Sequence, residues 1–222
     1  MSQRLPGLSD EEATGTAKMA FEASERFLGR SSNLLRILGA HSPDIARWFL
    51  GFITAVRQPG LGATTEARLR GLACIKTSMV NACTYCTEHT SIFGQGLGIS
   101  DEELAVMATD AYKTSDLFDE RDRAVIAWSE AMTNNTAARE RETWEAMKAH
   151  LTDTEIVEVS MACAMFNMIN RLNDSFWTEL ESKDYNRKQW NAVDGLSVEE
   201  SDAYAARFTE VAAAERQAKA AE

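Results

Sequence analysis

The chain has 222 residues, 45% of them hydrophobic, and carries 34 acidic against 23 basic side chains for a net charge of -11. That is enough to bury a proper core, as one domain or a domain with an appendage, and excludes a fibre or a disordered chain. The acidity and the lack of a basic run exclude a general nucleic-acid or anionic-membrane surface; with no membrane-length apolar run and no signal-peptide core at the start, a cytoplasmic protein is expected.

Three prolines, plentiful Ala, Met, Glu and Leu, and the absence of strand-like alternation predict an all-α fold. Four capping boxes mark helix starts: Ser9 with Glu12, Ser100 with Glu103, Thr152 with Glu155, and Ser197 with Glu200. From Ser9 a helix should run to Leu28 and stop at Gly29; a short one carrying Leu34, Leu35, Ile37 and Leu38 should end at Gly39. Ser42, Pro43 and Asp44 then supply a cap, an N1 proline and a first-turn charge, ahead of Trp48, Phe49, Phe52, Ile53 and Val56 at helical spacing. His41, just before that cap, is expected in a loop.

The next helix, Thr65 to Val80, delivers the chain to a junction at Asn81, after which helices carry Ile92, Phe93 and Leu97, then Leu104 and Met107. Further helices are expected from Asp119, through Val125 and Trp128, and from Ala138, through Trp144 and Met147. The longest should run from Asp153 to Leu180 and is apolar on most sides, the mark of a helix buried centrally or shared between subunits. Asn167, Asn170, Arg171, Asn173 and Asp174 interrupt it, either as a polar helix end or with Arg171 lining a pocket or interface. Past Glu181 the pattern loosens. A last amphipathic segment from Ser197 holds Tyr204, Phe208 and Val211, and its alanine-rich end is expected to pack across a neighbour or fray.

One stretch, Asn81 to Thr90 (NACTYCTEHT), crowds thiols, an imidazole and a carboxylate together. Cys83 and Cys86 form a C-x-x-C, a spacing at which two thiols can close a disulfide with little backbone movement. At the opening of a helix, free N–H groups and the dipole favour a thiolate, and on a helix Cys86 has Cys83 on one side and His89 on the other. A structural zinc would need a fourth ligand, and no second C-x-x-C or H-x-x-x-H pair exists. No metal or cofactor is expected. The stretch reads as a redox centre; two inert buried cysteines beside a satisfied histidine are the plainer alternative, and Cys74 and Cys163, alone among apolar neighbours, are expected to be core.

The stretch Leu69 to Gly98, with NACTYCTEHT at its centre, resembles the alkylhydroperoxidase D and carboxymuconolactone decarboxylase superfamily. Asn33 to Asp44 resembles that family's leading segment, and Arg121 to Ala131 and Thr154 to Asp174 its trailing helices, so the likeness spans residues 30 to 180. It implies an N-terminal helical extension over 1–29, an alkylhydroperoxidase D-like helical domain over 30–180, and a C-terminal extension over 181–222 ending in an amphipathic helix.

The resemblance further implies a homo-oligomer, often a trimer or larger. Its activity would be that of a thiol peroxidase, in which Cys83 and Cys86 reduce a hydroperoxide or another small-molecule substrate and an external thiol or dithiol restores them. The decarboxylase branch typically lacks the cysteine pair. In the peroxidase pattern the histidine falls four residues after the second cysteine, where this chain has Thr90, with His89 one position earlier; the usual relay glutamate, twelve residues before the first cysteine, is Gly71. Glu66, Glu88 and Glu158 are the candidate replacements, with Glu158, on the long apolar helix, the chosen one. The expected catalytic set is therefore Cys83, Cys86, His89 and Glu158. The alternatives are a helical scaffold or binding protein without the relay, and a decarboxylase-like enzyme acting on another small molecule.

Overall fold

The computed structural model of the protein describes residues 2–193 and 195–221; Met1, Asp194 and Glu222, within the expected terminal extensions, lie outside the described residues. Among the described residues every regular element is helical, as the composition predicts. The α-helices are α1 (Gly15–Leu28), α2 (Asn33–His41), α3 (Pro43–Arg57), α4 (Ala67–Val80), α5 (Thr84–Gly96), α6 (Asp101–Met107), α7 (Glu120–Thr133), α8 (Arg141–His150), α9 (Asp153–Phe176), α10 (Lys183–Arg187) and α11 (Val198–Ala220). They fall into two compact units, one of Met1–Gly62 with Phe176–Glu222 and one of Ala63–Ser175. No helix among the described residues is long and apolar enough to cross a membrane.

In the first unit α1 packs against α2, α3 and α11, burying Ala17, Ala20, Phe21, Ala23 and Phe27 along one face. Three local expectations shift here, each for a long-range reason. The box of Ser9 and Glu12 forms, with Ser9 N–H donating to Glu12 at 2.9 Å and Glu12 N–H to Ser9 Oγ at 3.3 Å, yet the chain makes only a turn there and α1 starts at Gly15. Glu215 of α11 explains the late start. Its carboxylate accepts from Thr16 N–H at 3.0 Å and Thr16 Oγ1 at 2.5 Å, satisfying the open first turn of α1. Gly39 does not end α2 but lies inside it, where a Cβ would stand 2.9 Å from the Phe21 ring, so its bareness lets α1 and α2 approach. His41 is accordingly the last residue of α2, its Nε2 3.0 Å from the Pro6 carbonyl oxygen.

Pro43 opens α3 as expected, but the buried face is Ala46, Leu50, Ile53 and Arg57, leaving Trp48 69% exposed. The C-terminal segment folds rather than frays. α11 buries Phe208 and Ala212, and Tyr204 meets the Phe27 ring edge-on at 5.2 Å. Ser197 accepts from Glu200 N–H at 3.1 Å, while the Glu200 carboxylate turns to the Arg26 guanidinium at 2.6 Å instead of closing the box.

The second unit is built around α4. Its residues Leu69 to Ser78 are buried without a break, and it packs against α5 and α7. Full capping boxes at Ser100 and Thr152 and an Asp119 cap on Asp122 N–H start α6, α9 and α7 where the sequence places them. The all-round burial expected of α9 belongs to α4. α9 buries one stripe, Ile156, Val159, Cys163, Phe166, Asn170 and Asn173, and exposes Val157, Met161 and Met168.

Candidate active site at the α4–α5 junction

α4 ends in a Schellman motif: Cys83 N–H bonds the Ser78 carbonyl at 3.1 Å and Ala82 N–H the Met79 carbonyl at 3.0 Å. The motif requires a left-handed residue at Ala82, whose φ is 52° although it is not glycine. That conformation costs an alanine about 1 kcal/mol. The strained turn redirects the backbone so that Cys83 becomes the N-cap of α5, one residue before its first turn.

Both thiols are buried, Cys83 at 6% and Cys86 at 1% exposure, and their sulfurs stand 2.7 Å apart as free thiols. A disulfide needs about 2.05 Å, so well under about 1 Å of movement would close the bond. Cys83 Sγ also accepts from Cys86 N–H at 3.4 Å, an N-cap contact that places the sulfur at the positive end of α5. The two thiols consequently differ. Donation from the Cys86 thiol, opposed by burial and helped by the Cys86 backbone N–H, holds Cys83 below the ordinary thiol range. Cys86 is pushed well up because its proton is committed to Cys83, because it is buried, and because a charged Cys83 repels a second charge. Of the two thiols, Cys83 is the one that gives up its proton more readily.

Polar groups of α9 close over the second sulfur. Asn173 Nδ2 donates to Cys86 Sγ at 3.3 Å and to the Ile169 carbonyl at 3.1 Å, and the Asn170 amide also favours charge on that sulfur. Asn170 in turn donates to Ser78 Oγ at 3.3 Å and accepts from Asn81 at 2.8 Å, while Asn81 reaches Asn167 at 3.1 Å. Arg171 points away: its guanidinium folds back on Asn167 at the exposed surface. The sequence flags this polar interruption of α9 but gives weight to its one charged member. The missed signal is phase. Asn170 and Asn173 continue the spacing of Ile156, Val159, Cys163 and Phe166, so two amides occupy core positions of the apolar stripe.

His89 lies one turn beyond Cys86 on α5, buried, its ring centroid 4.0 Å from that of Tyr85. Thr90, at the family's histidine position, spends its hydroxyl on the Cys86 carbonyl at 2.8 Å. Gly71 is buried in α4, where a Cβ would come within 3.2 Å of Leu97 and 3.7 Å of Ile99, so the place of the usual glutamate is filled by aliphatic packing. Cys74 and Cys163 are buried too, Cys163 accepting from Thr77 at 3.1 Å, and its burial raises its thiol pKa.

Glu158 is not brought to the thiols. Its carboxylate accepts from Thr64 N–H and Thr65 N–H at 2.9 and 2.6 Å and from both hydroxyls at 3.2 and 2.5 Å, bracing the segment that leads into α4. Burial alone would raise its pKa, but these donors outweigh it and hold the group at about 2, far too acidic for a relay base. Fifteen residues of α9 separate it from Asn173, about 22 Å at about 1.5 Å per residue. Of the four expected catalytic residues, Cys83, Cys86 and His89 share one helix opening and Glu158 stands at the far end of α9. Among the described residues no three His, Cys, Asp or Glu side chains are grouped to hold a metal.

No family model and no curated protein matches the chain. Solved structures do. An uncharacterized peroxidase-related protein from Ralstonia eutropha, described as an alkylhydroperoxidase AhpD core, superposes with a TM-score of 0.69 at 19% identity, covering 83% of this chain and 96% of its own. A peroxidase-related protein from Silicibacter sp. gives 0.64 at 19% identity, over 83% and 92%. The debrominase Bmp8, as a cysteine-to-alanine variant in complex with 2,3,4-tribromopyrrole, gives 0.68 at 20% identity, over 87% and 99%. The chain has the alkylhydroperoxidase D-like helical fold.

Proposed function

We propose that this protein is a thiol-dependent oxidoreductase that reduces a hydroperoxide, or exchanges a disulfide, through Cys83 and Cys86, with an external thiol or dithiol as electron donor. The observation that carries this reading is the Cys83 sulfur at the N-cap of α5, 2.7 Å from the Cys86 sulfur. A helix opening favours the thiolate, and a second thiol at contact distance is placed to resolve whatever forms on the first.

In the first step the Cys83 thiolate attacks the distal peroxide oxygen. An S–O bond forms, the O–O bond breaks, and the alkoxide leaves as the alcohol with a proton carried through His89, one turn past Cys86. The Cys86 sulfur then attacks the sulfenic sulfur: the S–S bond forms, the S–O bond breaks, and hydroxide departs with the Cys86 proton as water. A dithiol donor returns two electrons and two protons by exchange, leaving as its own disulfide. Hydroperoxide turnover with dithiothreitol tests the reading. Cys83→Ser and Cys86→Ser should each abolish turnover, with a sulfenic acid on Cys83 trapped by dimedone in the second. Unchanged turnover in either would reject it in favour of another enzyme chemistry, and no turnover in the parent would favour a scaffold or binding role.

A second reading uses the same thiols on a halogenated aromatic, and the likeness to a debrominase supports it. The thiolate would take the bromine as an electrophile, the ring carbon would take a proton, and Cys86 would displace bromide to form the disulfide. Bromide release from a bromopyrrole without hydroperoxide turnover would select it. We also propose self-association through the exposed apolar stripe of Val157, Met161 and Met168 on α9. A monomer in sedimentation velocity would remove that proposal.

A further inference from the structure

The thiol–disulfide reading leaves one requirement unmet by the expected residues. Each time the Cys83–Cys86 bond forms or breaks, Cys86 must pass through a thiolate, and it is the more deeply buried of the two sulfurs. Glu158, the expected acid, is at the other end of α9 and Gly71 offers no side chain. What the fold does bring to this sulfur is an amide. Asn173 is 2% exposed, and its nitrogen lies between two acceptors, Cys86 Sγ at 3.3 Å and the Ile169 carbonyl at 3.1 Å. That double contact fixes which end of the amide faces the sulfur, because a flipped group would set its oxygen against a carbonyl oxygen.

Asn173 Oδ1 is buried without a partner, which is costly for a core acceptor and uncommon in a finished core. Its neighbour is held as firmly. Asn170 is oriented by Ser78 and Asn81, both at the end of α4. The Asn173 amide, braced by a second hydrogen bond, thus stands at the sulfur that must carry transient charge, with Asn170 one helical turn before it.

We propose that Asn173, supported by Asn170, is a catalytic residue that stabilises the Cys86 thiolate as the disulfide is opened and closed, with the vacant Oδ1 accepting the O–H of the sulfenic acid once it has formed on Cys83. This rests on the thiol–disulfide reading and deepens it. In the reductive half, a donor thiolate attacks the Cys83 sulfur, a new S–S bond forms, the Cys83–Cys86 bond breaks, and its electron pair goes to Cys86. The Asn173 N–H receives that charge until Cys86 takes the proton of the donor's second thiol. A better-stabilised leaving thiolate departs faster.

The test is the single-turnover rate of each half-reaction of the full chain, disulfide opening by dithiothreitol and Cys83 oxidation by hydroperoxide. Asn173→Leu removes the donor and acceptor; Asn173→Asp keeps the shape and turns an oxygen toward the sulfur, so that one variant serves if the other fails to fold. Each should slow disulfide opening by dithiothreitol about tenfold. The rate of Cys83 oxidation at saturating hydroperoxide should stay within about twofold, a split that loosened packing does not produce. An opening rate within about twofold of the parent in a folded variant, or an equal fall in opening and in Cys83 oxidation, overturns the assignment. Failure of the parent itself to form the disulfide would instead reject the underlying thiol–disulfide reading.

Discussion

Replacing Glu158 by Gln tests whether this carboxylate is a structural brace, because the charge is what its four donors from Thr64 and Thr65 hold. The carboxyl sits at about 2 against a reference of 4.5, a gap equivalent to about 3 kcal/mol. The side chain is partly exposed, so screening leaves about 1–2 kcal/mol for the charge in practice. A depressed folded pKa contributes stability that is complete above the unfolded value and disappears as pH falls through the folded one. Glu158→Gln should therefore lower the urea midpoint most at neutral pH, and the gap to the parent should close progressively from about pH 5 toward about pH 2. Thiol turnover at neutral pH should be unchanged in the folded variant. A gap independent of pH would show that the charge contributes nothing, and lost turnover with intact stability would restore Glu158 to the chemistry.

Two further substitutions probe how the site is held. Ala82→Gly relieves the left-handed strain at the turn before Cys83 and should stabilise the chain by about 0.5–1 kcal/mol in chemical denaturation; destabilisation would mean that this φ costs nothing. Glu215→Ala removes the acceptor for Thr16 N–H and Oγ1 and should cost about 1–2 kcal/mol, with faster amide exchange in the first turn of α1; unchanged exchange there would contradict the cap.

What was legible in the sequence is what local chemistry decides. The boxes at Ser100 and Thr152, the Asp119 cap, Pro43 at the head of α3 and the thiols at a helix opening all follow from contacts within four residues. What was not legible depends on partners distant in the chain. Ser9 and Glu12 make their local bonds, but the start of α1 is decided by Glu215, about two hundred positions away. Gly39 reads as a stop until Phe21 is known to press against it, and Trp48 reads as core until Ala46 and Leu50 are seen to take that face of α3. At the site the cysteines were legible because thiols at that spacing are rare. Asn173 was not, because an asparagine near a helix end ordinarily means a polar terminus, and only its helical phase separates it from Arg171 two positions earlier.

The proposed chemistry requires Cys83 and Cys86 to act as one two-electron unit. The most direct measurement is a titration of the reduced protein with one equivalent of hydroperoxide, followed by denaturation, alkylation and peptide mass mapping. Both thiols should be lost together into a single peptide bridged between Cys83 and Cys86, with Cys74 and Cys163 still alkylated. Sulfinic acid on one cysteine with the other still free, or no oxidation of either, would contradict it.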